Sequence, residues 1–260
     1  MLRFAVKTLG CKVNQYDGQA IAAALESAGF LLADGDADAP ADLVIVNTCC
    51  VTAAAMRKSR QAIRQAVRRS PAAAVLVAGC YGDYDAARVR AVLAELNVPP
   101  EKVAVAGHLD DIAARVEQLA RRLRRSEPPC SGDGLNRPRP RAEQPGDDLC
   151  MSAPRDARIT ASPDSIRTRR KAAVKANMPG AARLPALKRF AGHQRAFVKV
   201  QDGCDAFCAY CVVPYTRPRV WSRDAGEVLD ECRRLVAAGH REIVLCGVFL
   251  GAFGRGTAIR

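Results

Sequence analysis

Four short, valine-rich apolar runs alternate with helix-forming stretches over the first 125 residues. The runs are FAVKTL, DLVIVNT, AAVLVAG and KVAVAG. The stretches that follow them are AIAAALESAGF, AAAMRKSRQAIRQAVRR, DAARVRAVLAEL and DDIAARVEQLARRLRR, which have helical periodicity or the composition of a helix. Strands that alternate with helices form parallel sheets, because each crossover helix returns the chain to the same end of the sheet. The sequence therefore predicts an α/β domain, with a parallel sheet covered by helices, over residues 1–125.

Residues 126–190 interrupt this pattern with nine prolines and little apolar periodicity. A structureless stretch of this length is more typical of a linker or an insertion than of a compact fold, so we predict a Pro/Arg-rich linker and a domain boundary there. After it, RAFVKVQ, AGEVLDECRRLVAAG and REIVLCGVFLGAFG predict a second β-α-β unit within residues 191–260. The sequence stops directly after the second strand of this unit. We therefore expect the chain to pair with something or to be a fragment of a longer protein.

Eleven cysteines and a formal net charge of +13 limit the classes of function. The N-terminus lacks a secretory signal and no run of 18 apolar residues occurs, so the sequence predicts a cytoplasmic protein. Cytoplasmic cysteines are kept reduced, which favours metal binding or redox chemistry over a disulfide framework. The positive charge favours a polyanionic partner, and on charge alone RNA, DNA and acidic membrane surface remain open. Residues 126–190 are the most basic segment, with 13 basic and 7 acidic side chains.

Three cysteines follow predicted strands at equivalent positions. Cys11 follows FAVKTL, Cys49 follows DLVIVNT, and Cys80 follows AAVLVAG. The carboxyl ends of parallel strands lie at one edge of a sheet, which is where open α/β sheets bind ligands. The three cysteines can therefore form one site although tens of residues separate them. The alternative is that each is a buried apolar residue.

The most specific motif is GCDAFCAYCVVPY, in which Cys204, Cys208 and Cys211 follow the strand RAFVKVQ with C-x3-C-x2-C spacing. Three thiolates this close together repel one another unless a cation lies among them, so the motif predicts iron or zinc. A zinc site usually needs a fourth protein ligand, and no cysteine or histidine follows at a suitable short spacing. The motif therefore favours an iron-sulfur cluster with one open iron over a structural zinc site.

With an aromatic residue, Tyr210, before its last cysteine, this motif resembles that of the radical S-adenosylmethionine enzymes. The resemblance implies a 4Fe-4S cluster whose open iron holds S-adenosylmethionine and whose electron releases a 5'-deoxyadenosyl radical. It also implies that Tyr210 binds the cofactor. Gly247 and Gly251, in the glycine-rich exit of the last predicted strand, stand where this superfamily contacts the methionine moiety. The alternative for these glycines is an ordinary turn.

The segments LGCKVNQYD, NTCCVT and AGCY, together with VKVQDGCDAFCAYCVVPYTRP, resemble the methylthiotransferase family of radical enzymes, which adds CH3-S groups to tRNA or to a ribosomal protein. The resemblance covers residues 1 to about 125 and 190–254. It implies that Cys11, Cys49 and Cys80 bind a second 4Fe-4S cluster. Cys50 stands where the family usually has threonine. We expect it to be an unliganded thiol, although its neighbour Cys49 leaves an exchange of ligands open.

Lys12 and Val13 favour the MtaB-type branch of the family, which methylthiolates C2 of N6-threonylcarbamoyladenosine at tRNA position 37. The alternative is the MiaB-type branch, which acts on N6-isopentenyladenosine. The resemblance implies two uses of S-adenosylmethionine, as methyl donor and as radical source, and an electron donor such as flavodoxin or ferredoxin. It implies the tRNA anticodon loop as partner, with neither membrane nor DNA. Arg217 and Arg219 could contact tRNA phosphate or the cofactor carboxylate, or they could be solvated.

The resemblance also refines the predicted organisation of the chain. Residues 1–125 form a methylthiotransferase domain with a flavodoxin/Rossmann-like parallel sheet, and residues 191–260 begin a partial TIM-like radical S-adenosylmethionine barrel. The rest of that barrel and the tRNA-binding TRAM domain are absent from this sequence, so we expect the chain alone to assemble the auxiliary cluster but to be poorly active or inactive. Two other classes stay open: an iron-sulfur protein that only carries electrons, and a zinc-stabilised RNA-binding module.

Overall fold

A computed structural model describes residues 1–33, 41–107, 112–126 and 186–255. These ranges contain a five-stranded sheet in the N-terminal part of the chain and a three-stranded sheet in the C-terminal part. Nearly all of the predicted linker lies outside the described residues, and its extent stays a prediction. None of the helices in the described ranges is long and apolar enough to cross a membrane.

The N-terminal part alternates strands and helices as the sequence predicts. Its strands are β1 (Arg3–Thr8), β2 (Leu31–Leu32), β3 (Leu43–Thr48), β4 (Ala74–Gly79) and β5 (Val103–Val105). Its helices are α1 (Lys12–Ser27), α2 (Ala53–Arg69), α3 (Cys80–Tyr84), α4 (Ala86–Glu95) and α5 (Ile112–Ser126). The four predicted strands and the four predicted helices are all present, while the short elements β2 and α3 were not predicted.

All neighbouring strands of the N-terminal sheet are parallel, in the order β2-β1-β3-β4-β5. This is the flavodoxin-like strand order, and the direction of winding reverses between β1 and β3. The predicted α/β class with a parallel sheet is therefore confirmed. In such sheets the crevice outside the carboxyl ends of the two strands at the reversal is the usual ligand site.

Both faces of this sheet are covered by helices, which explains why its central strands are continuous apolar runs. Alternate residues of β3 point to opposite faces: Leu43 and Ile45 pack with α1 and α5, whereas Val44 and Val46 pack with α2 and α4. Every residue of β3 and β4 is buried. The sheet is thereby a rigid platform for the loops at its carboxyl ends.

The C-terminal part contains the predicted β-α-β unit. Its elements are β6 (Arg195–Asp202), α6 (Val213–Thr216), β7 (Trp221–Ser222), α7 (Ala225–Ala237) and β8 (Glu242–Gly247). Strands β6 and β8 are parallel, and the short β7 pairs antiparallel with the other edge of β6. The rest of a barrel stays a prediction.

Helix α1 packs against both parts of the chain. One face contributes Ile21 and Leu25 to the core of the N-terminal sheet. Val13 and Tyr16, on another face, share a second core with residues of the C-terminal part. That core includes Leu187, from the described end of the predicted linker segment. A single helix therefore sets how the carboxyl ends of the two sheets lie relative to each other.

Candidate functional site

Cys11, Cys49 and Cys80, which we call the N-terminal triplet, lie at the carboxyl edge of the five-stranded sheet. The strands end in register: Thr8 pairs with Asn47, and Asn47 with Ala78. Cys11 is the N-cap residue of α1, Cys49 directly follows β3, and Cys80 is the first residue of α3. Cys11 is exposed, whereas Cys49 and Cys80 are buried. Cys11 and Cys49 thus follow β1 and β3, the two strands between which the winding reverses, and Cys80 follows the adjacent strand β4.

Two glycines allow this close approach. Gly10 has a φ of +105°, and a Cβ there would lie 2.9 Å from the Cβ of Cys49 and 3.1 Å from its Sγ. Gly79 has a φ of +90°, and a Cβ there would lie 2.5 Å from the main-chain oxygen of Thr48. Only glycine adopts such a conformation without strain and also fits the space. The turn before Cys11 therefore lies directly on Cys49, and the chain turns sharply from β4 into Cys80.

Helix α2 fixes the main chain at Cys49. The buried hydroxyl of Ser59 accepts a hydrogen bond from the Cys49 N–H at 3.1 Å and donates one to the Cys49 carbonyl at 2.9 Å. The helix is itself capped by Thr52, whose hydroxyl accepts from the Ala55 N–H at 3.0 Å. Cys49 is thus held by a side chain ten residues further along the chain.

The thiols at this edge are close enough to affect one another's protonation. Burial raises the pKa of Cys49, and the neighbouring Cys80 and Cys11 raise it further. A hydrogen bond with Cys80 and burial raise the pKa of Cys50 well above its usual range. Cys49 therefore stays protonated at neutral pH unless a cation is present, and metal binding there must release protons. Cys50 is buried against Cys80, so the exchange of Cys49 for Cys50 as a ligand stays an alternative.

The three thiols at this edge form a donor set that fits an iron-sulfur cluster. Among the described residues, no three His, Cys, Asp or Glu side chains are arranged to hold one metal ion. An all-thiol donor set is the usual ligand set of iron-sulfur clusters. The same edge also contains Asn47 Oδ1, a buried oxygen without a hydrogen-bond partner among the described residues.

Cys204, Cys208 and Cys211, which we call the C-terminal triplet, lie in the loop after β6. Gly203 starts this loop with a φ of +79°, and a Cβ there would lie only 1.9 Å from the main-chain oxygen of Arg219. The Cys204 N–H donates to the Arg217 carbonyl at 3.0 Å, and the Cys211 N–H donates to the Cys208 carbonyl at 2.9 Å. The loop therefore folds back on the chain that follows it.

The residues predicted to contact the cofactor have different surroundings. Tyr210 is 93% exposed. Gly247 ends β8 and packs against Gln201, since a Cβ on Gly247 would lie 3.0 Å from that side chain. A Cβ on Gly251 would lie 3.2 Å from the ring of Phe249. Close packing within the protein thus accounts for glycine at 247 and 251, and a role in cofactor binding stays a prediction.

Gln201 is a site residue that the sequence did not reveal. Its buried amide Nε2 donates to the carbonyls of Asp202 and Gly203, both at 2.8 Å, and its Oε1 accepts from the Phe249 N–H at 2.7 Å. The side chain therefore joins the start of the cysteine loop to the glycine-rich exit of β8. A lone glutamine in an apolar strand, RAFVKVQ, was the available signal.

Arg217 lies in a buried group of charges between the two parts of the chain. Its guanidinium, 4% exposed, donates to Asp17 at 2.8 Å and to Asp202 at 2.7 Å. Lys199 also pairs with both carboxylates. Burial alone would lower the pKa of Arg217 and of Lys199, but the two carboxylates outweigh it and raise both. The solvated alternative for Arg217 is therefore wrong, because its side chain is buried and paired. Its contact with phosphate or with the cofactor carboxylate stays a prediction.

A second polar group extends the same interface. The Tyr16 hydroxyl donates to Glu231 at 3.0 Å, and Arg223 forms an ion pair with Glu231 and donates to Tyr16 at 3.2 Å. Tyr16 and Asp17 belong to the polar first half of α1, KVNQYDGQ, which lies before the predicted helix AIAAALESAGF. That half is polar because its buried side chains pair with charged residues of the C-terminal part.

Together, the fold and the donor set are those of an α/β protein with two thiol-rich sites. Comparison with known proteins identifies its relatives. Residues 3–98 match the family described as "Uncharacterized protein family UPF0004". The chain is 29% identical over 260 residues to "Threonylcarbamoyladenosine tRNA methylthiotransferase MtaB" of Bacillus subtilis, covering 98% of this chain and 45% of that protein.

Two further relatives have the same pattern of coverage. "tRNA-2-methylthio-N(6)-dimethylallyladenosine synthase" of Sphingopyxis alaskensis is 32% identical, over 98% of this chain and 47% of that protein. The Treponema pallidum protein named as MtaB is 28% identical, over 99% of this chain and 55% of that protein. The chain thus spans about half the length of these relatives. This similarity to named methylthiotransferases over nearly the whole chain supports the family that the motifs predicted.

Proposed function

We propose that this chain is part of a radical S-adenosylmethionine methylthiotransferase that acts on tRNA. The observation that carries the proposal is the position of the two cysteine triplets at the carboxyl ends of strands, in parts of the chain that share α1. The N-terminal triplet follows β1, β3 and β4, and the C-terminal triplet follows β6. The two sites are neighbours, because α3, which begins at Cys80, packs against α6, which follows Cys211. Two redox sites side by side suit a reaction that needs both a radical and a sulfur source.

In this proposal each triplet holds one 4Fe-4S cluster. When bound, the clusters and S-adenosylmethionine supply the electron, the radical, the sulfur and the methyl group. The chain's own residues position the sulfur atoms: Ser59 holds the main chain of Cys49, and Gly203 sets the turn into Cys204. Tyr210, which is exposed, is available to contact S-adenosylmethionine. A role of Gly247 and Gly251 in holding that cofactor is part of the proposal. The electron donor, a flavodoxin or a ferredoxin, stays a prediction.

Iron content tests the two cluster sites directly. Anaerobically reconstituted protein is expected to hold about eight irons per chain, and about four after either triplet is changed to alanine. Cys232→Ala combined with Cys246→Ala is the matched control, because these two cysteines belong to neither triplet; it should retain the full iron content. Full iron content in the Cys11→Ala, Cys49→Ala, Cys80→Ala variant would contradict the proposal.

For the substrate we propose C2 of N6-threonylcarbamoyladenosine at tRNA position 37. The motif residues Lys12 and Val13 support this choice, as do relatives named for threonylcarbamoyladenosine. N6-isopentenyladenosine is the second candidate, because a relative at 32% identity is named for dimethylallyladenosine. The binding site for the anticodon loop is part of the proposal, and the net charge of +13 suits such a polyanion.

Mass spectrometry of tRNA nucleosides separates the two substrates. A strain that lacks the gene should lose the 2-methylthio derivative of N6-threonylcarbamoyladenosine and keep that of N6-isopentenyladenosine. Restoring the gene should restore the lost nucleoside, and restoring it with Cys204→Ala should not. Loss of the isopentenyl derivative instead would favour the second candidate. No change in either nucleoside would contradict tRNA methylthiolation by this protein.

A further inference from the structure

Asn14 is a buried asparagine in the first turn of α1, three residues after Cys11, and it is only 1% exposed. Its Nδ2 donates hydrogen bonds to two main-chain carbonyls, that of Leu9 and, at 3.1 Å, that of Thr48. Leu9 lies two residues before Cys11, and Thr48 directly precedes Cys49. One amide group therefore joins the turn before Cys11 to the turn before Cys49.

The same amide lies close to the sulfur of Cys49. A Cβ added to Gly10 would lie 3.1 Å from Cys49 Sγ and 3.4 Å from Asn14 Nδ2. The thiol and the amide therefore border the same small space, which the missing side chain of Gly10 leaves open. Leu9 is also held from its other side, because its N–H donates to the Asn47 carbonyl at 2.9 Å. The main chain before Cys11 is thus bonded at both its donor and its acceptor.

Asn47, at the end of β3, extends these contacts to the third cysteine. It is also 1% exposed, and its Nδ2 donates to the Asn14 carbonyl at 2.8 Å. Its Oδ1 lies against Gly79, where an added Cβ would be 2.5 Å away. Gly79 directly precedes Cys80. The two asparagines together therefore contact the turns before all three cysteines of the N-terminal triplet.

The stability of α1 does not account for asparagine at position 14. The N-cap residue of α1 is Cys11, which makes no side-chain capping hydrogen bond, although Ser, Thr, Asp or Asn at an N-cap stabilises a helix. The first N–H groups of a helix need acceptors, whereas Asn14 uses both of its N–H donors on carbonyls of neighbouring turns. Its Oδ1 lies 3.4 Å from Arg217 Nη2. The side chain therefore serves the edge of the sheet rather than its own helix.

We propose that Asn14 is a positioning residue, whose two N–H groups hold the turns before Cys11 and Cys49 in the arrangement in which these cysteines bind the N-terminal cluster. Asn47 extends this hold to the turn before Cys80. The inference rests on the proposed function, because it requires a cluster at the N-terminal triplet. It goes beyond that function by making cluster retention depend on a residue that is not a ligand. Loss of partners outside a ligand set typically weakens metal binding by about 10–100-fold.

Gln19 provides the matched control, because it is a second amide side chain of α1 that bonds distant main chain. Its Nε2 donates to the Ala191 carbonyl at 3.3 Å, and its Oε1 accepts from the Ala191 N–H at 3.1 Å. Asn14→Leu and Gln19→Met each replace an amide by an apolar side chain of similar shape. Both should lower the midpoint of urea unfolding, because each leaves main-chain groups without a partner. Only Asn14→Leu releases turns that carry cysteines of the N-terminal triplet.

Iron retention is measured in the full chain with one triplet at a time. With the C-terminal triplet changed to alanine, Asn14→Leu should lose iron to a chelator about tenfold faster than the parent or more, and Gln19→Met should match the parent. With the N-terminal triplet changed to alanine, Asn14→Leu should match the parent, because its two carbonyl partners precede no cysteine of the C-terminal triplet. Equal iron loss by the two variants from the N-terminal triplet would overturn the inference. Faster loss by Asn14→Leu from both triplets would also overturn it, because that is the effect of a merely structural role.

Asn14→Asp isolates the donor and covers the case in which Asn14→Leu does not fold. An ionised aspartate has the size of asparagine and keeps an acceptor oxygen near Arg217, but it has no N–H group to donate. It should therefore lose iron from the N-terminal triplet about as fast as Asn14→Leu. Retention equal to that of the parent would show that the two donated hydrogen bonds are not needed and would overturn the inference.

Hydrogen exchange needs no substitution at position 14. In the metal-free parent labelled with 15N-asparagine, at least two side-chain NH2 groups should exchange slowly, those of the buried Asn14 and Asn47, whereas that of the exposed Asn97 should exchange fast. Fewer than two slow groups would overturn the inference. A parent chain that holds no cluster at the N-terminal triplet would overturn the proposed function as well. A parent cluster that Asn14→Leu and Asn14→Asp retain unchanged would overturn the Asn14 inference alone.

Discussion

Replacement of Gly203 by alanine tests how the loop of the C-terminal triplet is built. Gly203 combines a φ of +79° with a tight contact, because an added Cβ would lie 1.9 Å from the main-chain oxygen of Arg219 and 2.8 Å from the nitrogen of Val220. Gly192 isolates the first effect: its φ is +76°, and an added Cβ would meet no atom within 4 Å. The two variants therefore differ by the steric contact alone.

The expected magnitudes follow from this difference. Left-handed backbone costs a residue with a Cβ about 1–2 kcal/mol, which applies to both variants. Overpacking against a main chain that cannot rotate away costs about 1–3 kcal/mol more, which applies only to Gly203→Ala. We expect the free energy of unfolding to fall by about 1–2 kcal/mol for Gly192→Ala and by about 2–5 kcal/mol for Gly203→Ala.

Urea unfolding of the metal-free chain measures both values. Trp221 is the only tryptophan, and it pairs with Asp202 next to the loop, so its fluorescence reports on this region. A second readout is the iron held by the C-terminal triplet in a background with Cys11→Ala, Cys49→Ala and Cys80→Ala. Gly203→Ala should lose most of that iron and Gly192→Ala should keep it. Equal unfolding energies for the two alanine variants would refute the steric argument.

Three further predictions concern the edge of the sheet and the interface. Ser59→Ala should lower the free energy of unfolding by about 1–3 kcal/mol and reduce iron retention by the N-terminal triplet, because the Cys49 N–H loses its acceptor. The control is Thr52→Ala, which removes a cap worth about 1 kcal/mol from the same helix and should leave iron retention unchanged. Tyr16→Phe should cost about 1–2 kcal/mol in urea unfolding, because Glu231 and Arg223 lose a buried partner, and an unchanged midpoint would contradict this. Burial raises the pKa of Cys246 to about 12, above that of a cysteine in the unfolded chain. The unfolded state therefore loses this proton first, and the free energy of unfolding falls as the pH rises towards 12. Cys246→Ala should make the decline of the urea midpoint between about pH 9 and pH 11 less steep, and identical slopes would exclude Cys246 as the cause of the decline.

The elements that the sequence predicted well are those whose pattern depends only on their own residues. Strands β3 and β4 are buried on both faces, so their continuous valine-rich runs are unmistakable. Helix α2 was predicted with its observed limits, Ala53–Arg69, because its apolar residues recur with helical spacing. Strands β2 and β7 were missed because each has only two residues, too few to show any alternation.

The elements that the sequence missed depend on partners far away in the chain. Helix α1 begins at Lys12, but only its apolar second half was predicted. Its first half contains Tyr16 and Asp17, which would normally face solvent. Here they meet Glu231, Lys199 and Arg217, nearly 200 residues or more away. A single sequence shows that such residues are charged or polar, but it does not show which of them pair.

The buried charges also explain why the two parts of the chain have one preferred arrangement. Burying four charged groups removes their hydration, and this cost is offset only where each carboxylate meets both cations. An arrangement that left one of them unpaired would cost about 3–5 kcal/mol, a large share of the stability of a typical domain. Asp17 lies six residues after Cys11, and Arg217 six residues after Cys211. The pairing of these two side chains therefore helps to set the distance between the two cysteine triplets.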